Sequence, residues 1–246
     1  MDAFVHPSTA FGITSQVVLR VWWSYLMWIP AAAVLGFAIA RIFAGWLRLT
    51  RGIFLIPYVI IVSIFMYLYQ RWSGLSVADL LRHNWIWGIV GALLVGLFLV
   101  RNILSQPVSP RAAGLPLAFD LFWSGIVYGG MDALLLSILP VLATWQAFSA
   151  LGWTFNLPGK ILVGAIALLF SLFVTAAYHL GFPEYRVRGG IAGPTIGNGV
   201  MSLGYLLTNN PFTAIFSHMA MHIAGVLHGP GSVMQLPPHY SQIGRS

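Results

Sequence analysis

The chain has 246 residues, of which 59% are hydrophobic and 7% charged. A water-soluble domain carries roughly 25% charged residues, so a soluble globular protein is excluded. The net charge is +7, from 12 basic and 5 acidic residues, and 11 of the 12 basic residues are Arg, set mostly between apolar runs. That placement suits anchoring at a membrane surface rather than binding to nucleic acid. The absence of Cys excludes disulfide and thiol chemistry.

The apolar runs are continuous over about 20 residues and do not alternate, which predicts helices rather than a β-barrel. The expected fold is all-α, a polytopic transmembrane bundle of seven or eight helices. The first 19 residues carry no Lys or Arg and lead straight into an apolar run, so no cleavable signal peptide is expected. Val21–Ala40 is the first span and Ile53–Tyr69 the second, with Pro30 and Pro57 predicted to kink them. Ser76–His83 reads as a short interfacial helix capped by Ser76. Trp85–Val100 is the third span, and Arg101–Pro116 the long loop that follows.

Leu121–Gly159 is too long for one crossing. Gly129-Gly130 and Pro140 suggest a break, with a fourth helix to about Gly130 and a fifth from Asp132 to Phe148. Ile161–His179 is the sixth. Splitting the remainder at Asn209-Asn210-Pro211 gives a seventh near Ile191–Leu207 and an eighth near Pro211–Leu227. Gly229–Ser246 reads as an irregular tail that could contact a partner. One integral membrane domain is expected: three spans within residues 1–116, a helical core over 117–229 and the tail over 230–246. Arg41, Arg48, Arg51, Arg101 and Arg111 fall in one set of loops and Arg20, Arg71 and Arg82 in the other, a bias toward a cytoplasmic first loop.

An ionisable group inside a membrane costs several kcal/mol unless it is paired or hydrated, so such residues are functional candidates. Asp132, His179, His218 and His222 stand out. His218 and His222, four apart, share one helix face. They could bind a divalent metal such as zinc, donate across a helix interface, or ligate haem or a chlorophyll-type pigment with His179. Asp132 could instead cap a helix start. Asp120 reads as a cap, and Glu184 as a solvated partner of Arg186 and Arg188. Gly125-x-x-x-Gly129, and Gly193, Gly197 and Gly204, suit close helix packing. Trp22, Trp23, Trp28, Trp72, Trp85 and Trp87 read as interfacial belts.

An acidic residue that opens one helix, a histidine closing a later one and His-x-x-x-polar in the last, after a Gly-rich helix, together resemble the CAAX-protease and bacteriocin-processing (CPBP) family of intramembrane proteases. The stretch GNGVMSLGYLLTNNPFTAIFSHMAMHIAG looks like the last two helices of that family, and the resemblance covers roughly residues 117–229. The Glu-Glu pair of the family falls on Met131-Asp132, and its Arg near Leu136. In Phe-x-x-x-His, Thr175 stands for the Phe and His179 matches; in His-x-x-x-polar, His218 matches and His222 takes the last slot.

The resemblance implies a carboxylate that activates water, with the histidines binding metal or stabilising an oxyanion. Catalytic roles then fall to Asp132, His179, His218 and His222, and metal ligation to His179, His218 and His222. With one Glu replaced by Met131, the expectation is a degenerate, non-catalytic member: a scaffold, assembly factor or subunit of a membrane complex. It would contact lipid and other membrane proteins, in a bacterial inner membrane. The alternatives are an active intramembrane endopeptidase and a haem- or pigment-binding subunit.

Overall fold

The structure, a computed structural model, describes residues 21–240. The readings of the first 19 residues, of Arg20 and of the last six residues of the tail therefore lie outside the described residues. Every regular element among those described is helical. We number them α1 (Trp22–Trp46), α2 (Arg51–Ser73), α3 (Val77–Arg82), α4 (Trp85–Leu104), α5 (Gly114–Ala150), α6 (Leu157–Gly181), α7 (Ala192–Thr208) and α8 (Phe212–His228). Five of them, α1, α2, α4, α5 and α6, are long and apolar enough to cross a membrane. At 17 residues each, α7 and α8 rise about 25 Å.

The expected break between a fourth and a fifth span does not occur: α5 runs unbroken through Gly129, Gly130 and Pro140. Its hydrogen bonding explains how. Leu121–Val127 and Ala133–Ile138 are wound as π-helix, and Pro140 lies in the first turn after the second of these. The wider turns shift the i→i−4 ladder, so the N–H that proline lacks is not required there. Asp132 and Asp120 consequently lie within the helix and cap nothing. The long loop is also shorter than expected, spanning 105–113, because α4 continues to Leu104 and α5 begins at Gly114. In α1 the α-helical pattern lapses for one residue at Met27, beside Leu26, whose carbonyl Pro30 cannot engage. Ser76 caps α3 as expected, accepting from the Asp79 N–H at 3.3 Å.

Small residues set the helix spacings. A Cβ on Gly129 would lie 2.8 Å from the Met219 Cα, and one on Gly125 2.9 Å from Ile223, so α5 and α8 touch backbone to backbone. Gly88 and Gly91 of α4 similarly receive Asn210 and Thr213 at the start of α8. The buried Asn210 amide donates to the carbonyls of Leu81 (3.1 Å) and His83 (2.6 Å), while its oxygen accepts from Phe212 N–H (2.9 Å). Gly204 is packed tightly against Thr213 and Val95, whereas Gly193 and Gly197 have room. Two of the expected belt tryptophans, Trp28 and Trp72, instead pack together with Phe65 and Tyr69. Trp22, Trp23, Trp85 and Trp87 are exposed, as a belt requires.

Candidate metal centre

Three helices deliver the ionisable side chains to one place. α5 carries Asp132, α6 His179, and α8 His218 and His222, and all four line a cavity of about 190 Å³. All four are buried. The glycine contact between α5 and α8 sets this juxtaposition, since Gly129 lies against Met219, the residue after His218.

Within the cavity wall, Asp132, His218 and His222 each present a ligand atom, and these atoms lie within 4.8 Å of one another. The Asp132 Oδ2 is 3.5 Å from the His222 Nε2 and 4.0 Å from the His218 Nε2. Donors around a tetrahedral zinc at about 2.1 Å are separated by roughly 3.4 Å, so the spacing suits a metal. The outward-facing atoms are already occupied in two cases. Tyr58 of α2 donates its hydroxyl to the Asp132 Oδ1. The His222 Nδ1 lies 3.3 Å from the Ser124 carbonyl, and because a carbonyl only accepts, this nitrogen carries the proton. That leaves the Nε2 lone pair directed at Asp132, the arrangement seen around metal-ligating histidines. His218 differs: its Nδ1 is buried and makes no hydrogen bond.

His179 shares the cavity but is not one of the three clustered donors. Its Nδ1 donates to the Thr175 carbonyl at 2.8 Å, which leaves Nε2 unprotonated as the basic atom. Thr175 is in turn held by a buried network. The Asn198 amide donates to the Thr175 Oγ1 at 2.7 Å and the Ser171 Oγ at 2.9 Å, and Ser137 donates to the Asn198 Oδ1 at 2.7 Å. Fully satisfied networks of this kind fix geometry in a low-dielectric interior.

Several functional residues lay beyond sequence reasoning. Tyr58, the partner of Asp132, was readable only as one aromatic among many. Its signal was a phenolic hydroxyl at mid-span, where lipid offers it no partner. Asn198 and Gln235, which also line the cavity, gave no positional signal. Met131, aligned with the missing Glu, points away: its sulfur faces Ser63 of α2 at 4.0 Å. Glu184 is not solvated but buried, accepting from the His239 N–H at 2.7 Å.

Helices of this length and apolarity mark an integral membrane protein. No protein-family model, curated protein or solved structure matches the chain significantly.

Proposed function

We propose that this protein binds a divalent metal such as zinc between Asp132, His218 and His222, and that it is a CPBP-like intramembrane hydrolase. The observation that carries the reading is the cluster of three buried donors with two outer atoms already held by Tyr58 and Ser124. When bound, the metal would supply Lewis acidity and lower the pKa of a water. Asp132 and the two histidines would hold it. His179 lines the same cavity with a free basic nitrogen, and the Thr175 carbonyl fixes its tautomer, so it is the residue best placed to accept a proton. The buried walls keep bulk water from the reacting groups.

The connections alternate between two faces if all the helices except α3 cross. The face bearing 47–50, 105–113 and 182–191 then holds Arg41, Arg48, Arg51, Arg101, Arg111, Arg186 and Arg188 in or beside its connections, and the other holds Arg71, Arg82 and Lys160. The positive-inside rule makes the first face cytoplasmic.

A second reading, a non-catalytic scaffold or complex subunit, is favoured by one observation. Asp132 is the only carboxylate among the described residues of the cavity wall, and as a ligand it cannot also be a free base. The haem or pigment reading is disfavoured by size, because about 190 Å³ falls below the roughly 300 Å³ at which cofactor pockets begin.

The test is metal analysis of the purified protein beside hydrolysis of a prenylated or apolar peptide. The proposal expects one metal per chain, lost in Asp132→Ala and His222→Ala, and cleavage abolished by the same changes and by His179→Ala. Metal without cleavage would select the scaffold reading. No metal at all would overturn both the centre and the hydrolase built on it.

A further inference from the structure

The segment 229–240 was expected to be an irregular tail. It is instead folded back across one end of the bundle. Val233, Leu236 and His239 are buried, and three connections hold the segment. Ser232 donates to the Pro107 carbonyl (2.5 Å), and Gly231 N–H donates to the Ser109 Oγ (2.9 Å), tying it to the α4–α5 loop. Tyr240 donates to the Leu49 carbonyl (2.6 Å), and Tyr185 donates to the Met234 carbonyl. The third connection is a charged cluster. Arg51, at the start of α2, donates to the Pro230 carbonyl (2.8 Å) and approaches the His239 ring at 3.4 Å. The His239 Nε2 donates to the Val233 carbonyl (2.8 Å), and its N–H binds the Glu184 Oε1 (2.7 Å).

Between these attachments the segment sends Gln235 into the wall of the same cavity that holds Asp132, His179, His218 and His222. The Gln235 Oε1 is buried and makes no hydrogen bond. A buried, unsatisfied carboxamide oxygen costs about 1–3 kcal/mol, and a segment whose only task were packing would gain from an apolar residue there. We propose that residues 229–240 are a strap that closes the metal cavity at this face, latched by Arg51, Glu184 and His239, and that its Gln235 oxygen accepts a hydrogen bond from an N–H or O–H of whatever occupies the cavity. The inference rests on the proposed function for the metal, but not for the strap itself. In its terms the occupant is a hydrogen-bond donor such as a peptide amide rather than an anion, since no Lys or Arg lines the cavity among the described residues. Exchange of metal and ligand then requires release of the latch.

The chain contains no Cys, so a single introduced thiol can report on the strap. Gln235→Cys is labelled with a water-soluble maleimide alone and together with Glu184→Ala, which removes the acceptor of the His239 N–H, or Arg51→Gln. Gly231→Cys, at an exposed strap position, controls for thiol reactivity, and an unchanged unfolding midpoint in detergent excludes general unfolding. In the same backgrounds but with Gln235 intact, zinc loss to a chelator is timed. The expected result is slow labelling in the latched protein and at least tenfold faster labelling with either latch change, with zinc release accelerated in parallel and the Gly231→Cys rate constant. Fast labelling in the latched protein, or no acceleration by either latch change, overturns the strap. Faster labelling with unchanged zinc release overturns its control of the cavity. If no zinc binds, the metal reading falls and the labelling alone decides the strap.

Discussion

Helices α5 and α2 are alike in composition and opposite in surroundings. Both are apolar throughout, yet 78% of the most apolar stretch of α5 is buried inside the protein, against 28% for α2. α5 runs through the centre, touching α8 through glycines and carrying Asp132. α2 lies at the edge, showing Ile53, Ile56, Ile60 and Ile64 outward, and sends inward Tyr58 to meet that aspartate. Lipid is as apolar as leucine, so hydropathy cannot separate a central helix from a peripheral one. What separates them is where small and polar residues sit.

The sharpest way to test this contrast is a glycine on each helix. Gly129→Val places a side chain 2.8 Å or less from the α8 backbone, which cannot yield as a flexible side chain would. The expected cost is about 3 kcal/mol, with loss of bound metal, measured by unfolding in detergent and metal analysis. If Gly129→Val is tolerated with metal retained, the backbone contact does not build the site.

The next effect concerns the end of α2, where Arg51 meets the strap. Burial, with a further contribution from the Arg51 charge, pushes the His239 imidazole down to about 4 from its ordinary 6.5. The docked strap thus favours neutral His239. Its docking is undiminished above pH 6.5 and weakens as pH falls from 6.5 to 4, by up to about tenfold per pH unit. Arg48, Arg51, Glu184 and Tyr240 face the same cluster. The labelling rate of the thiol in Gln235→Cys should therefore rise with acid, after correction for thiolate fraction, and His239→Gln should flatten that dependence.

A smaller effect belongs to the contact that α2 makes with the metal centre. Tyr58→Phe removes the hydroxyl that holds Asp132, and supporting partners of this kind are worth about 10–100-fold in metal affinity. Competition with a chelator would measure it. Unchanged affinity would mean that Asp132 is oriented by packing alone. Smallest of all, Gly52→Ala on α2 meets nothing within 4 Å. Its stability should stay within about 0.5 kcal/mol, which makes it the counterpart of Gly129→Val.

This contrast also explains what could be read without coordinates. The helical class, the α8 histidine pair and the Gly125–Gly129 contact were legible, because each depends on spacing along one helix. The meeting of Asp132 with His218 and His222 could be suspected only through the CPBP resemblance, since it joins residues about ninety apart in sequence. Tyr58, Asn198 and Gln235 were not legible, because partners across helices leave no periodic trace. The continuity of α5 was misread for a local reason. Gly129-Gly130 and Pro140 break α-helices in water, but lipid and close packing penalise an interrupted backbone more heavily.

The two π-wound stretches of α5 have a consequence for how this helix could have arisen and how it can be edited. Each π turn carries one residue more than an α turn, and one residue is about 100° of rotation. Asp132 sits in the five-residue α segment between them, Tyr128–Asp132, so its azimuth is set independently of both flanks. Removing a single residue from Ala133–Ile138 would restore uniform α winding and leave everything beyond it on the same face, because the π turn already absorbs the extra residue within one turn. The same deletion made in the plain α-helix beyond, Leu139–Ala150, would instead turn all that follows by about 100°. The π turns are therefore where this helix can gain or lose a residue without turning its buried faces.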